Sequence, residues 1–467
     1  MRRACPWRRT RRSFPKPVCR ARLTRIFAKV LSRIHEVCAS NGTVFASVDA
    51  AAWDIYGAAM KHVIIVGGGA AGMAAAIMAA RHGARVTVIE RMQRVGKKLL
   101  ATGNGRCNLS NRRLDASRYH GRRPGFVAGV FARFGLEDTL DFFGALGVEF
   151  MEENEGRLFP VSQQASSVLD VLRYEMTRLG VAEVCDTIVQ TVTSKHGKLR
   201  CVCGNEQTFE GDRVIVCAGG KSSPNLGSNG GGYKIAQALG HAVVEPFPAL
   251  VQLKLDAPWL KRIAGISVPG SAHAWIDDNL RRTETGEILF TEYGVSGTAI
   301  LSLSRTISES MLQGRSAQVR IDLFPALTPD ELTALLQRRC AHAPFKPIDF
   351  SFVGLLHKRL IPAALQSAGI QDVQRPCGEL SGGEIARIAA TLKAWTFPAT
   401  GTQSWMFSQV TAGGVDVDEL DPATLQSRLA PGVYFAGEVI DIDGDSGGYN
   451  LQWAWSSGAV AGICAAS

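Results

Sequence analysis

Between residues 63 and 72 the chain reads Val63-Ile64-Ile65-Val66 and then Gly67-Gly68-Gly69-Ala70-Ala71-Gly72, followed by a run of Ala and Met. This pattern predicts a strand, a glycine turn and a helix. Gly67 permits the tight turn. Gly69, without a Cβ, lets backbone approach a pyrophosphate, and Gly72 lets the helix lie close on the strand. The helix N-terminus presents free N–H groups and about half a positive charge to phosphate. The helix over 70–82 closes on Gly83. A second strand, Ala84 to Glu90, then places an acid 18 residues past Gly72, where it can take ribose hydroxyls. An acid there favours an unphosphorylated ribose, as in FAD or NAD. The uncharged stretch 63–80 is marginal in length for a membrane span and is rich in Gly and Ala rather than Leu. No membrane association is expected.

The net charge of +10 suggests nucleic acid until it is located. Residues 1–60 carry ten Arg and two Lys against Glu36, Asp49 and Asp54, leaving 40 basic and 39 acidic residues in the body. Bulk electrostatics therefore argue against a stable nucleic-acid complex. Residues 1–59 read as a basic extension, disordered or not translated, because Met60-Lys61-His62 stands directly before the first strand. A transit-type leader and a basic arm are the other readings. Eleven Cys are scattered without a metal or redox spacing, and Cys201 and Cys203 fit one face of a strand. A cytoplasmic, reduced protein is expected. No metal site is expected.

Further along, 165–180 reads as an amphipathic helix, and 183–218 as a meander ending in the apolar strand Arg213 to Ala218. Gly227 to Gly232 opens a helix that Gly240 closes. Residues 250–325 alternate like strands, and 326–398 turn helical, with Thr328-Pro329-Asp330-Glu331 and Ser381-Gly382-Gly383-Glu384 as N-terminal signals. The closing segment Gly432 to Glu438 is a strand ending in Ala436-Gly437-Glu438, and Gly447-Gly448-Tyr449-Asn450 opens a last helix. Glu438 suits the ribityl chain of a flavin. A helix start near the flavin pyrimidine would favour its reduced, anionic form. An N-terminal cradle with a C-terminal return fits FAD better than NAD alone.

The stretches Gly96 to Asn111 (GKKLLATGNGRCNLSN), Gly156 to Pro160, Gly286 to Thr291, Val410 to Val415 and Gly437 to Gly458 resemble the signatures of the BaiN/YhiN-type flavoproteins, also labelled aminoacetone-oxidase-like. The resemblance covers residues 61–467. It implies an α/β fold: a glutathione-reductase-like Rossmann domain binding FAD, built from two separated stretches of chain, with an inserted β-barrel-like and helical region. The expected divisions are a first FAD-binding segment over 60–249, a β-rich insert over 250–325, a helical insert over 326–398, and a second FAD-binding segment over 399–467. It also implies reduction of a conjugated C=C bond, since members are linked to bile-acid metabolism and to dihydrouridine formation in large-subunit rRNA. Glu292 and Thr298 stand where the family pattern has His and Pro.

The expected cofactor-binding residues are Gly67, Gly69, Ala70, Ala71, Gly72, Glu90, Arg91, Lys98, Gly103, Asn104, Gly219, Gly437, Glu438, Gly448, Tyr449 and Asn450. Asn104, Arg106 and Asn108 are candidates to hold a substrate carbonyl or the flavin. Cys107 is a candidate proton donor or else buried filler. Glu292, with Tyr293, is a candidate acid or else a surface loop. No second strand–glycine–helix cradle is present, so NAD(P)H is expected as a transient reductant. The expected function is FAD-dependent, NAD(P)H-driven reduction of an enone-like small molecule such as a steroid or bile-acid intermediate. The alternatives are a dihydrouridine synthase acting on an rRNA uridine, an amine oxidase, and a non-catalytic flavin-binding protein. An RNA substrate would call for a basic rim, with Arg338, Arg339, Lys358, Arg359 and Arg375 as candidates.

Overall fold

The computed structural model describes residues 60–467, so the expectations for residues 1–59 fall outside it. Strand β1 (His62–Val66), helix α1 (Ala70–Arg81) and strand β2 (Arg85–Ile89) form the opening unit. β1 and β2 pair in parallel from His62–Arg85 to Val66–Ile89. β3 (Ala182–Val184), β4 (Arg213–Val216) and β5 (Val433–Phe435) complete a parallel sheet in the order β5-β4-β1-β2-β3. Val63, Ile64, Ile65, Val214, Ile215, Val216, Val433 and Phe435 are fully buried, as strands covered on both faces require. Because β1 is flanked by β2 on one side and β4 on the other, chain leaves the sheet in opposite directions here. The crevice at this switch point is where such sheets hold ligands.

The chain between β4 and β5 builds a separate hydrophobic cluster. Six strands close a barrel: Leu253–Leu255, Gly294–Ser296, Asn279–Thr291, Ser267–Ile276, Ala317–Asp322 and Trp395–Thr402. Trp259 stacks on Trp395 at 4.8 Å inside this cluster. Helices Pro329–His342, Leu360–Ser367 and Gly382–Lys393 follow, and the first and third carry the expected capping boxes, Thr328 with Glu331 and Ser381 with Glu384. Two boundaries differ from the sequence reading. Trp395–Thr402, which closes the barrel, straddles the expected division at 398/399. A 15-residue helix, α2 (Thr298–Leu312), stands inside the stretch expected to be β-rich. Its Ser, Thr and Ile content lowers helix propensity, but burial of Ala299, Ile300, Leu303 and Ile307 at helical spacing overrides that.

The chain then returns to the first domain through β5 and the final helix α3 (Tyr449–Ala466). α3 lies on α1 with almost no side chain between them. A Cβ on Gly458 would sit 2.3 Å from the Ala71 carbonyl oxygen, and one on Gly462 would sit 2.4 Å from that of Ala75. The two glycines, one helical turn apart, form a stripe that lets the helix backbones touch. Gly458→Val should therefore cost about 2–3 kcal/mol through overpacking against main chain that cannot move aside. Gly383→Ala, on an exposed helical turn with nothing within 4 Å of the new methyl, should instead stabilise by about 0.5–1 kcal/mol. Denaturant unfolding of the two variants checks both signs.

Candidate active site

A cavity of about 830 Å³ opens at the C-terminal end of the sheet, where α1 begins and α3 arrives. Its first wall is the glycine turn. A Cβ on Gly67 would strike the Cys217 carbonyl at 2.5 Å, and one on Gly72 the Gly67 carbonyl at 1.9 Å, so both glycines are demanded by protein packing. Gly69 differs: a Cβ there meets nothing within 4 Å, and the residue lines the cavity. Glu90 accepts the backbone N–H of Gly68 at 2.7 Å and of Met92 at 2.8 Å, which pins the turn against the end of β2. On the opposite wall Lys98 pairs with Glu438 at 2.8 Å, and Glu438 also accepts the Thr411 N–H at 2.9 Å.

The loop after α1 and β2 carries most of the polar lining. Gly103, Asn104, Gly105 and Cys107 all have φ between 56° and 83°, a cluster of left-handed backbone that costs about 1–2 kcal/mol at each non-glycine position. This turn swings Asn104, Arg106 and Asn108 to the cavity. The Arg106 guanidinium is already committed, stacked on Phe159 at 4.2 Å and donating to Glu153 at 2.7 Å and Gln163 at 2.9 Å. Asn108 Oδ1 is buried and without a partner, as is Arg157 Nε. Both residues line the cavity, so polar capacity is left for a bound group.

Of the expected cofactor-binding residues, Gly67, Gly69, Ala70, Ala71, Glu90, Arg91, Lys98, Gly103, Asn104, Gly219, Gly437, Glu438, Gly448 and Asn450 line this one cavity. Gly72 and Tyr449 do not line it. Gly72 lies behind the turn, and the Tyr449 hydroxyl turns away to the Arg113 carbonyl at 3.3 Å. Two catalytic candidates also lie outside the lining. Cys107 is fully buried and outside the lining, and burial pushes its thiol up to about 12. Glu292 is exposed at the barrel turn between Thr291 and Gly294, also outside the lining. The sequence reading missed Arg157, Phe159, Gln409 and Val410, and also Thr298 and Leu301 of α2. Thr298 was visible as a departure from the family pattern. Leu301 was hidden with its helix.

The proposed basic rim is largely consumed by structure. Arg339 donates to the carbonyls of Ser351 and Val353, Arg359 to those of Arg262 and Ala264, and Arg375 to Glu384. Arg338, Arg339, Lys358, Arg359 and Arg375 are all absent from the cavity lining.

The acid-rich turn before α3 does not face the cavity either. Asp441 and Asp443 are buried and Asp445 is partly buried, and the three carboxylates tie the turn to its surroundings. Asp443 pairs with Arg305 of α2 at 2.8 Å, and Asp445 with Arg282 of the barrel at 2.8 Å and His120 at 2.8 Å. Burial opposes charge on Asp445, but His120 and Arg282 outweigh it and hold that carboxyl below the usual range. Burial pushes Asp443 up, against the pull of Arg305. The same turn continues into Ser446, Gly447 and Gly448 of the cavity wall, and α2 supplies Thr298 and Leu301 to the facing wall. The pair between Arg305 and Asp443 thus ties α2 to the turn that continues into the cavity wall.

These features fit FAD. The glycine turn leaves open space at Gly69, the acid at Glu90 closes the turn, and the N-terminus of α3 begins at the same cavity. Fold and site together define an FAD-dependent oxidoreductase whose Rossmann domain is assembled from both ends of the described chain. The HI0933-like protein Rossmann domain matches residues 61–464, and the chain belongs to that family. It is 37% identical over 409 residues to the 3-dehydro-bile acid delta(4,6)-reductase of Clostridium scindens, covering 87% of this chain and 99% of that one. It is 33% identical over 397 residues to the ribosomal RNA dihydrouridine synthase of Escherichia coli, covering 84% and 95%. To the enzyme of the same name from Haemophilus influenzae it is 30% identical over 399 residues, covering 84% and 96%. Among the described residues no helix is long and apolar enough to cross a membrane.

Two outcomes follow for the acid turn. Arg305→Met strands a buried carboxylate and should cost about 3–5 kcal/mol, most of which Arg305→Met/Asp443→Asn should recover, as read by chemical denaturation. Burial raises the Asp441 carboxyl to about 6, with the Arg122 N–H pulling the other way. The native state therefore holds a proton that the unfolded chain has released, and stability should fall as pH rises from about 4 to about 6. The loss is on the order of 3 kcal/mol. Asp441→Asn keeps the acceptor for Arg122 and should flatten that part of the stability–pH curve.

Proposed function

We propose that the protein reduces a C=C bond conjugated to a carbonyl in a small, largely apolar molecule, with NAD(P)H as the transient electron donor and the cytoplasm as its location. When bound, FAD supplies two-electron hydride chemistry. The substrate gains a hydride at its β-carbon and a proton at its α-carbon, while NAD(P)H leaves as NAD(P)⁺. Asn104, Asn108 and Arg157 offer hydrogen-bond capacity at the wall where a substrate carbonyl would gather negative charge. Arg106, stacked and paired, positions Phe159 and the left-handed loop. Leu250, Leu301 and Val410 line the cavity with apolar surface and keep water from the reacting carbon.

The observation that carries this reading is the buried, unpartnered Arg157 Nε, an N–H donor on a residue that lines a cavity also holding apolar side chains. A pyrimidine C5=C6 bond conjugated to C4=O is the same kind of acceptor, and two relatives are named for dihydrouridine synthesis in ribosomal RNA. The near-neutral body and the structural use of Arg339, Arg359 and Arg375 favour the small molecule. Anaerobic mixing of the reduced holoprotein with cyclohex-2-en-1-one, a 3-oxo-4-ene steroid and an rRNA fragment separates the readings. The expected result is rapid reoxidation by an enone with formation of the saturated ketone. Arg157→Met should slow this step by about 10²–10³-fold, the range seen when one donor to a developing oxyanion is removed. Reoxidation by RNA alone, or by oxygen alone with peroxide release, would overturn the proposal.

A further inference from the structure

Leu250 stands where the chain leaves the strand Val243–Ala249 and enters Leu253–Leu255, the first strand of the barrel. An extended chain buries alternate side chains, but here Ala249, Leu250 and Val251 are buried in succession. The alternation breaks at Leu250, whose φ is 48°. Left-handed backbone is strained for a bulky side chain, whereas glycine takes it freely.

Its neighbours hold that strain in place. The Ser408 hydroxyl donates to the Ala249 carbonyl at 3.2 Å, the Gln409 N–H to the Leu250 carbonyl at 3.2 Å, and the Val251 N–H to the Ser304 hydroxyl of α2 at 3.1 Å. Three consecutive residues are thus fixed by the chain returning from the barrel and by α2. All three bonds use main chain of 249–251, so a glycine at 250 would keep every one of them. What the leucine adds is apolar bulk at the site. It is only 6% exposed, and it lines the cavity together with Leu301 and with Val410, which pairs with Ala249 across the two strands. Strain locked into the wall of a ligand cavity is the mark of a side chain held for function.

We propose that Leu250 is a specificity-determining residue of this site, held in strained backbone so that its branched side chain limits what can stand next to the reacting C=C bond. A flat ring carbon passes, and a carbon carrying two methyl groups is turned away. The inference rests on the small-molecule reading given above and adds a steric limit to it. Packing alone would be served as well by a leucine in relaxed, extended backbone.

The test uses the FAD-loaded full chain, the variants Leu250→Gly and Leu250→Ala, and two probes. These are cyclohex-2-en-1-one and 4,4-dimethylcyclohex-2-en-1-one, whose methyl groups flank the β-carbon. The second-order rate of reoxidation of the reduced flavin is measured anaerobically with each probe. The ratio of the hindered to the plain enone should rise by about tenfold in both variants, the low end of what a methyl-sized group commands in an apolar pocket. Taking the ratio removes any loss common to both probes, which is all that a purely structural role would produce. An unchanged ratio in both variants would overturn the assignment. With saturating FAD, the unfolding midpoint of Leu250→Gly should lie above that of Leu250→Ala, because only glycine is relieved of the left-handed strain. The opposite order, usual at ordinary backbone, would overturn the strain. A parent that reacts with neither enone would overturn the small-molecule reading itself. That result is separable because it is read on the parent, and the order of the midpoints decides the strain in either case.

Discussion

Backbone contact between α1 and α3 is the constraint from which the rest of the structure follows. Gly458 and Gly462 bring the final helix onto the carbonyls of Ala71 and Ala75, one turn apart. That approach delivers Gly437, Glu438 and the turn 446–448 to the glycine cradle laid down some 370 residues earlier in the chain. The close fit continues at Gly437, where a Cβ would meet that of Ala71 at 2.8 Å. Its N–H is held by Ser457 of α3 at 2.9 Å, and its carbonyl by Trp453 at 3.2 Å. The cofactor cavity is the space left between two chain segments that cannot come closer.

The insert then adds wall to this cavity. Its barrel and helices have their own apolar core, so they can present α2 as a stiff wall. Arg282 and Arg305 reach across to buried carboxylates on the turn that enters α3. Ion pairs of this kind contribute little net stability once their desolvation is counted, but a broken one is costly, which makes them good for fixing a geometry. Here they tie the insert, whose α2 carries Thr298 and Leu301, to the turn that carries Ser446 and Gly448.

Much of this was legible in the sequence because glycine has few reasons to recur. Gly67 and Gly72 carry a packing demand that other residues cannot meet, and with Gly69, the acid at 90 and the return at 437–450 at their expected places, local spacing was enough to find the FAD domain. The Thr328 and Ser381 caps were legible for the same local reason. What was not legible depends on partners distant in sequence. α2 looks strand-like until Ile300, Leu303 and Ile307 are seen to share a buried face, and with it Thr298 and Leu301 were lost from the site. The roles of the acids 441, 443 and 445 were not legible, because Arg282 and Arg305, the partners of Asp445 and Asp443, lie more than a hundred residues away. Cys107 drew attention through its neighbour Arg106, but a left-handed backbone at 62° turns it into the core. Arg157 and Phe159 stood in a recognised motif, and only the cavity showed where they sit.

Gly69 offers the most direct test, because it is the cradle glycine whose missing side chain is not required by the protein's own packing. Its extended backbone, φ −77° and ψ −169°, is open to any residue, and a Cβ there meets nothing within 4 Å. Gly69→Val should therefore fold with unchanged circular dichroism and near-parental unfolding in the cofactor-free state. The nucleotide released on denaturation should be one equivalent of FAD from the parent and close to none from the variant. Full FAD content in the folded variant would contradict the assignment of this cavity as the flavin site.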